Sequence, residues 1–183
     1  MVFRTCLKYD RLTTVSPTLT PTNKYAILTT TTTTTATTTT IIIIGRLAGG
    51  LHKHIPAVKE PQGLSRNDGK RPDGLTLVPW QSGHCATWDV TVVHTLAASY
   101  VSQSAVQAGS AAAAASDRKI AKYSNLSSSY LFFPVAVETL GALADDGHTF
   151  IREIGRRAAP STADPRETTF LYQRFSIAIQ RFN

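Results

Sequence analysis

Hydrophobic and polar positions divide the chain into two kinds of sequence. Between residues 75 and 182 the apolar positions recur with the periods of secondary structure. On 84–93, Trp88, Val90 and Val92 alternate with Thr87, Asp89, Thr91 and Val93. That period of two predicts a strand with two distinct faces. Leu75 to Trp80 lies before it, and Gln81-Ser82-Gly83 reads as the turn of a hairpin. Residues 103–123 contain five consecutive alanines and then Asp117-Arg118-Lys119-Ile120-Ala121-Lys122-Tyr123. Alanine is the strongest helix former, so a helix is expected there, weakened at its start by Gly109. The apolar run YLFFPVAV at 130–137 suits a buried strand, with Pro134 pointing to an edge or a bulge. A helix is expected over 146–159, with Phe150, Ile151 and Ile154 as its apolar contacts. Asp164-Pro165-Arg166-Glu167 then sets a capping residue, a first-position proline and a glutamate three after the cap. Leu171, Phe175, Ala178 and Phe182 give the last helix a 4-3-4 apolar stripe. Hairpin, helix, strand, helix, helix predicts an α/β domain with a crossover onto a mixed sheet.

The first part of the chain has no such period. Residues 29–40 are eleven threonines interrupted by Ala36, and Ile41 to Ile44 follow. β-Branched residues favour extended backbone, yet without alternation nothing sets the register. An aggregation-prone strand and a disordered segment are both compatible with the block. So are three origins: a basic, acid-poor, hydroxyl-rich leader, a Thr-rich glycosylated stalk, and translated microsatellite sequence joined to a gene fragment. Residues 1–54 are therefore set apart as a low-complexity, disordered or spurious segment. Residues 55–74 are rich in Pro and Gly, carry turn signals at Asn67-Asp68-Gly69 and Pro72-Asp73-Gly74, and read as an irregular lead-in. The domain is expected over 55–183.

Charge adds a bias to this picture. Lys plus Arg number 19 against 12 for Asp plus Glu, a net +7 that favours anionic partners such as DNA. The first 50 residues hold five basic residues and one acid, so much of the excess sits outside the domain. Two cysteines exclude a disulfide framework and cannot complete a four-ligand zinc site without histidine. No apolar run approaches the ~20 residues that span a bilayer, so no membrane partner is expected.

The residues able to do chemistry cluster in the hairpin and the helix after it. A three-residue turn with Gly83 left-handed would pair Leu75 with Asp89 and Gly74 with Val90. Asp73 would then lie opposite Thr91, diagonal to Asp89 on one face and roughly 7 Å from it. A two-residue turn would send the two acids to opposite faces. Two adjacent carboxylates repel and call for a cation, and their hard oxygens suit magnesium or manganese. Lys119 and Lys122 share one helical face, with Tyr123 beside Lys119. Each residue also has a plainer reading. Asp73 suits the turn Pro72-Asp73-Gly74, the two lysines suit a solvated helix face, and Trp80 and Trp88 suit the core. Arg166, Arg174 and Arg181 fall within about 80° on the last helix, as a phosphate-contacting stripe or as its polar side. His52 and His54 read as exposed rather than as a metal pair. Glu138 reads either as a third acid or as a structural partner for an arginine.

Lys70-Arg71-Pro72-Asp73, then Trp88-Asp89-Val90-Thr91-Val92, then Arg118-Lys119 and Lys122-Tyr123 together resemble the restriction-like endonuclease domain at the C-terminus of some non-LTR retrotransposon reverse transcriptases. That domain belongs to the PD-(D/E)xK nuclease group. The resemblance runs from Ile55 to Asn183 and includes Gly63-Leu64-Ser65-Arg66, Asp164-Pro165-Arg166-Glu167 and Gln180-Arg181-Phe182-Asn183. It implies a restriction-endonuclease-like α/β fold that nicks target DNA with Mg²⁺ or Mn²⁺, freeing a 3′ hydroxyl to prime reverse transcription. Asp73 and Asp89 would hold the metal, and Lys119 or Lys122 would assist. Lys70, Arg71, Arg118 and Tyr123 would face the nucleic acid, with Arg71 on a phosphate or bracing the site. Such a protein would act in the nucleus. The family's Asp-x-Lys triplet reads Asp89-Val90-Thr91 here, so the lysine is expected to come from the helix. His94 stands where related sequences carry Asp, and the group's first acid maps to Glu60, where Pro61 disfavours a helix. In the family a Cys/His zinc motif and a polymerase precede this domain. Cys6, Cys85, His52 and His54 do not reproduce the motif, and both upstream segments are expected to be missing from this chain. The competing expectation is a non-catalytic remnant that binds nucleic acid weakly.

Overall fold

The computed structural model describes residues 55–64 and 71–181. Expectations that rest on the Thr/Ile block, Cys6, His52, His54, Lys70 and Phe182 lie outside those residues. Four strands form one mixed sheet in the order β1-β2-β3-β4: Ala57–Lys59, Gly74–Thr76, Cys85–Val93 and Tyr130–Glu138. The first three are antiparallel neighbours, and β4 joins β3 in parallel. Helices α1 (Val101–Ser104) and α2 (Ser110–Lys122) make the crossover, and α3 (Asp145–Thr162) and α4 (Glu167–Arg181) follow β4. Among the described residues no helix is long and apolar enough to cross a membrane.

The alternation on β3 works as expected. Trp88 and Val90 enter the main core, with Val92 packed against it; they meet Val135 and Val137 of β4, Phe150, Ile151 and Ile154 of α3, and Leu171, Phe175, Ala178 and Ile179 of α4. Phe150 is the hub, with ring centroids 4.9 Å from Phe133, 5.5 Å from Trp88 and 5.6 Å from Trp80. On the opposite face Val93 and Ala136 meet Ala111, Ala112 and Ala115 of α2. Small side chains there let the helix lie close to the sheet. Pro134 sits on β4, an edge strand, where its missing N–H costs no ladder bond toward a further strand.

Three expectations are corrected. The lead-in is not wholly irregular: Ala57–Lys59 pairs with β2 as an edge strand, too short and too broken by Pro56 and Pro61 to show a period. The helix expected over 103–123 is divided. Gly109, at φ 86°, ends the first turn's direction and opens α2 at Ser110. The hairpin turn has two residues, not three, because Ser82 (φ 50°) and Gly83 (φ 81°) are both left-handed between bridged Gln81 and His84. The first arm then leaves the ladder over Leu77–Pro79. Thr76 fills the gap: its hydroxyl accepts from Ala86 N at 2.9 Å and donates to Val78 O at 2.9 Å. Regular pairing resumes with Leu75 opposite Thr87 and Gly74 opposite Trp88, two residues from the expected register. A slip of two preserves the faces. Gly74 is required at that point, since a Cβ there would lie 2.0 Å from the Trp88 ring.

Candidate functional site

The corrected register brings the two acids together. The ladder ends at Gly74↔Trp88, and just beyond it the Asp73 side chain comes within hydrogen-bonding reach of Asp89. Asp73 is held on three sides by backbone. Its N–H donates to Trp88 O at 2.9 Å, its carbonyl accepts from Glu60 N at 2.9 Å, and its Oδ2 accepts from Val90 N at 2.6 Å. A turn aspartate would point to solvent, whereas this carboxylate replaces a ladder carbonyl and lies in hydrogen-bonding reach of Asp89. Burial pushes the Asp73 carboxyl up to about 7, and the neighbouring Asp89 charge adds to the shift. Asp89 is 5% exposed, in the middle of β3 on the face that α2 covers.

The helix supplies the cation. Lys119 Nζ lies 2.5 Å from Asp89 Oδ2, and its charge also acts on Asp73. The sequence left two lysines as candidates, and Lys119 is the one on this carboxylate. Lys122 Nζ donates to the Tyr123 hydroxyl at 3.0 Å and sits 4.5 Å from that ring's centroid. Tyr123 is 1% exposed, packs its ring at a tilt against Phe132 with centroids 4.9 Å apart, and donates its hydroxyl to Arg71 O at 3.1 Å. It therefore braces the segment leading into Asp73 rather than offering its ring to a ligand.

The other sequence candidates are engaged elsewhere. Arg71 pairs with Glu60 at 2.8 Å and donates to Gln62 at 3.2 Å. The hydrogen bond from Arg71 to Glu60 holds the Glu60 carboxyl below the usual range. Glu60 thus points toward Arg71, half exposed, at a left-handed φ of 49°. Arg118 donates to the Tyr100 hydroxyl and lies over that ring. Arg166 pairs with Asp164, and Arg174 lies 3.6 Å from Glu167. His94 follows β3, its Nδ1 buried without a hydrogen-bond partner.

Sequence reasoning left Glu138 undecided, and its role is neither of the two expected. It is 2% exposed, and its Oε1 accepts from the N–H groups of Ala111 at 3.0 Å and Ala112 at 3.3 Å. Glycine at the cap of α2 has no side chain to bind those donors, and the carboxylate from β4 does so, favoured by the helix dipole. The signal in the sequence was the pair formed by a side-chain-less cap and an acid ending an apolar strand. Ser116, midway along α2, donates to Asp146 at 2.8 Å. The start, middle and end of the helix that carries Lys119 are each tied down.

Asp73 and Asp89 together offer hard oxygen donors on one side of a strand. Among the described residues no group of three or more His, Cys, Asp or Glu forms a metal site. Two carboxylates nevertheless fit Mg²⁺ or Mn²⁺, since magnesium keeps several waters and commonly takes one or two protein carboxylates beside a phosphate. They do not fit zinc, which would call for nitrogen or sulfur ligands.

No protein-family model and no curated protein matches this chain.

Proposed function

We propose that residues 55–183 form a restriction-endonuclease-like domain derived from a non-LTR retrotransposon, with metal-dependent nicking of DNA as its reaction. The single observation that carries the reading is the convergence of Asp73, Asp89 and Lys119 on one sheet face, with Asp89 buried and Lys119 Nζ at 2.5 Å from it. A mixed sheet whose central strand bears an acid, beside a hairpin that bears another, supports the same family.

In this reading Asp73 and Asp89 would hold Mg²⁺ or Mn²⁺. Bound there, such an ion would polarise the phosphodiester and lower the pKa of a coordinated water. The chain's own residues perform the rest. Burial and the Asp89 charge push the Asp73 carboxyl up to about 7 without a cation, and a cation held between the two acids would favour its ionised, ligating form. Lys119 carries the positive charge suited to the developing charge on the phosphoryl oxygens. Val90 N–H and the Tyr123–Arg71 hydrogen bond fix the approach of the Asp73 segment.

The test is relaxation of supercoiled plasmid by the full chain with Mg²⁺ or Mn²⁺, beside Asp89→Asn. Metal-dependent nicking that the substitution removes is the expected result. Absence of nicking by folded protein at pH 8 with Mn²⁺ would overturn the enzymatic reading. The alternative is a non-catalytic remnant that binds nucleic acid weakly. The engagement of Arg71 by Glu60 and of Arg118 by Tyr100 favours it, because these two nucleic-acid candidates already have partners within the chain.

A further inference from the structure

We infer that the Lys119 ammonium is the resident counter-cation of the Asp73–Asp89 pair, and that a divalent metal ion enters only by displacing it. The inference rests on the metal-site reading above. Lys119 Nζ lies 2.5 Å from Asp89 Oδ2, so it is already seated on an oxygen that a metal would use. A magnesium ion takes such an oxygen at about 2.1 Å. An ammonium and a divalent ion sharing one carboxylate oxygen repel strongly in a site as buried as that of Asp89. One of them must leave.

The way Lys119 leaves is set by what holds its helix. Glu138 anchors the start of α2 through Ala111 and Ala112, Asp146 holds Ser116, and Tyr123 closes the end by packing against Phe132 and bonding to Arg71 O. The backbone under Lys119 is therefore fixed, and displacement is a rotation of its side chain. That side chain is 21% exposed, so water is available at one flank to receive the ammonium. The same lysine that balances the acids without metal becomes a mobile cation beside them with metal.

The experiment is Mn²⁺ titration of the full chain at pH 8.5, followed by calorimetry and by the loss of free-Mn²⁺ electron paramagnetic resonance signal. Lys119→Met should bind Mn²⁺ at least about tenfold more tightly than wild type, because a like charge has been removed from beside the ion. Lys119→Arg, which keeps the charge, should stay near wild type. Equal or weaker binding by Lys119→Met, with measurable wild-type binding, would overturn the displacement and leave the metal site standing. A gain shared equally by Lys119→Arg would trace to lost packing and would overturn it too. If neither wild type nor Lys119→Met binds Mn²⁺, the metal-site reading fails and the inference goes with it. A measurement on wild type does not depend on any variant folding: reductive methylation of Lys119, read by mass spectrometry, should be several-fold faster with saturating Mg²⁺. An unchanged rate in protein that binds the ion contradicts displacement.

Discussion

On one face of the sheet Trp88 and Val90 meet Phe150, Ile151 and Ile154, while on the other Val93 meets alanines and Asp89 meets a lysine. Both faces belong to the same strand, and successive residues are sent to each. The first face fills space with large rings from two strands and two helices. The second brings a helix close with small side chains, which leaves the far end of that helix within reach of two acids. The difference teaches that a site of this kind depends on the opposite face for rigidity and on its own face for proximity. Substitutions on the two faces should therefore fail in different ways.

The largest effect belongs to the ring-filled face. Trp88 is 1% exposed and fits a space left by Gly74. Trp88→Ala should cost roughly 3–5 kcal/mol of stability in urea unfolding, as expected for a buried aromatic. Because Asp89 follows it on the strand, Mn²⁺ binding should disappear with the cooperative transition. Retained Mn²⁺ affinity in a protein with no such transition would show that the site does not need that face.

On the charged face, one substitution should stabilise. Asp73 titrates at about 7 when folded, against about 4 in an unfolded chain. Between those values the native state binds more protons than the unfolded state, so stability is fully present below about pH 4 and falls until about pH 7. The loss is on the order of a few kcal/mol. Asp73→Asn keeps an oxygen to accept from Val90 N and offers an amide to Asp89. It should flatten the pH dependence and raise Tm above pH 7 while removing metal binding. Added Mg²⁺ at pH 8 should raise the wild-type Tm and leave that of Asp73→Asn unchanged. A variant that is less stable than wild type at pH 8 would contradict the strain assigned to the acid pair.

How much of this was legible in the sequence follows from the same division. The period on β3, the alanine run and the apolar β4 each have a local cause, and each element formed where that cause lay, whereas the last helix starts at Glu167 and Asp164 instead closes the turn before it by accepting from Arg166 N. Asp73, Asp89 and Lys119 could be named because the hairpin and the crossover bring them to one face. Their mutual position could not be read, since it depends on Ser82 and Gly83 closing a shorter turn and on the Thr76 hydroxyl bridging the break that follows. Two errors, in turn length and in ladder continuity, offset each other in the face of Asp73. β1 gave no signal because a three-residue strand set between prolines shows no alternation. Glu138 was harder to read because its partners are backbone N–H groups, so only the glycine cap and the acid ending an apolar strand hinted at the pairing.

Glu138 offers the next smaller effect. Glu138→Ala leaves the N–H groups of Ala111 and Ala112 buried without their acceptor, at a cost of about 1–3 kcal/mol. Glu138→Gln retains an oxygen and should cost less than half of that. If the anchor positions Lys119, hydrogen exchange should rise at the start of α2 in Glu138→Ala and the effect of Lys119→Met on Mn²⁺ affinity should shrink. Full additivity of the two substitutions would assign Glu138 to stability alone.

The smallest effects lie outside both faces, on the arginines at the start of and along α4, and they test where the positive charge is directed. Arg166 forms a close pair with Asp164, whose carboxyl it holds below the usual range, and Arg174 reaches Glu167 at 3.6 Å. The first pair lies in the turn before α4 and the second within the helix, and both arginine side chains are half or more exposed, so Arg174→Ala should change stability by no more than about 0.5 kcal/mol. The informative quantity is the salt dependence of any DNA binding. Each lysine or arginine that neutralises a phosphate contributes about −0.9 to the slope of log K against log salt. With their guanidinium groups drawn to Asp164 and Glu167, the Arg166→Ala and Arg174→Ala proteins should keep the wild-type slope. A slope reduced by about one unit per substitution would make this stripe the DNA contact. It would also move the nucleic-acid path away from the Lys119 face, because α4 packs on the ring-filled side of the sheet. The acids and the phosphate contacts would then lie on opposite sides of the same strand, and a nicking reaction at Asp89 would lose its route to the substrate.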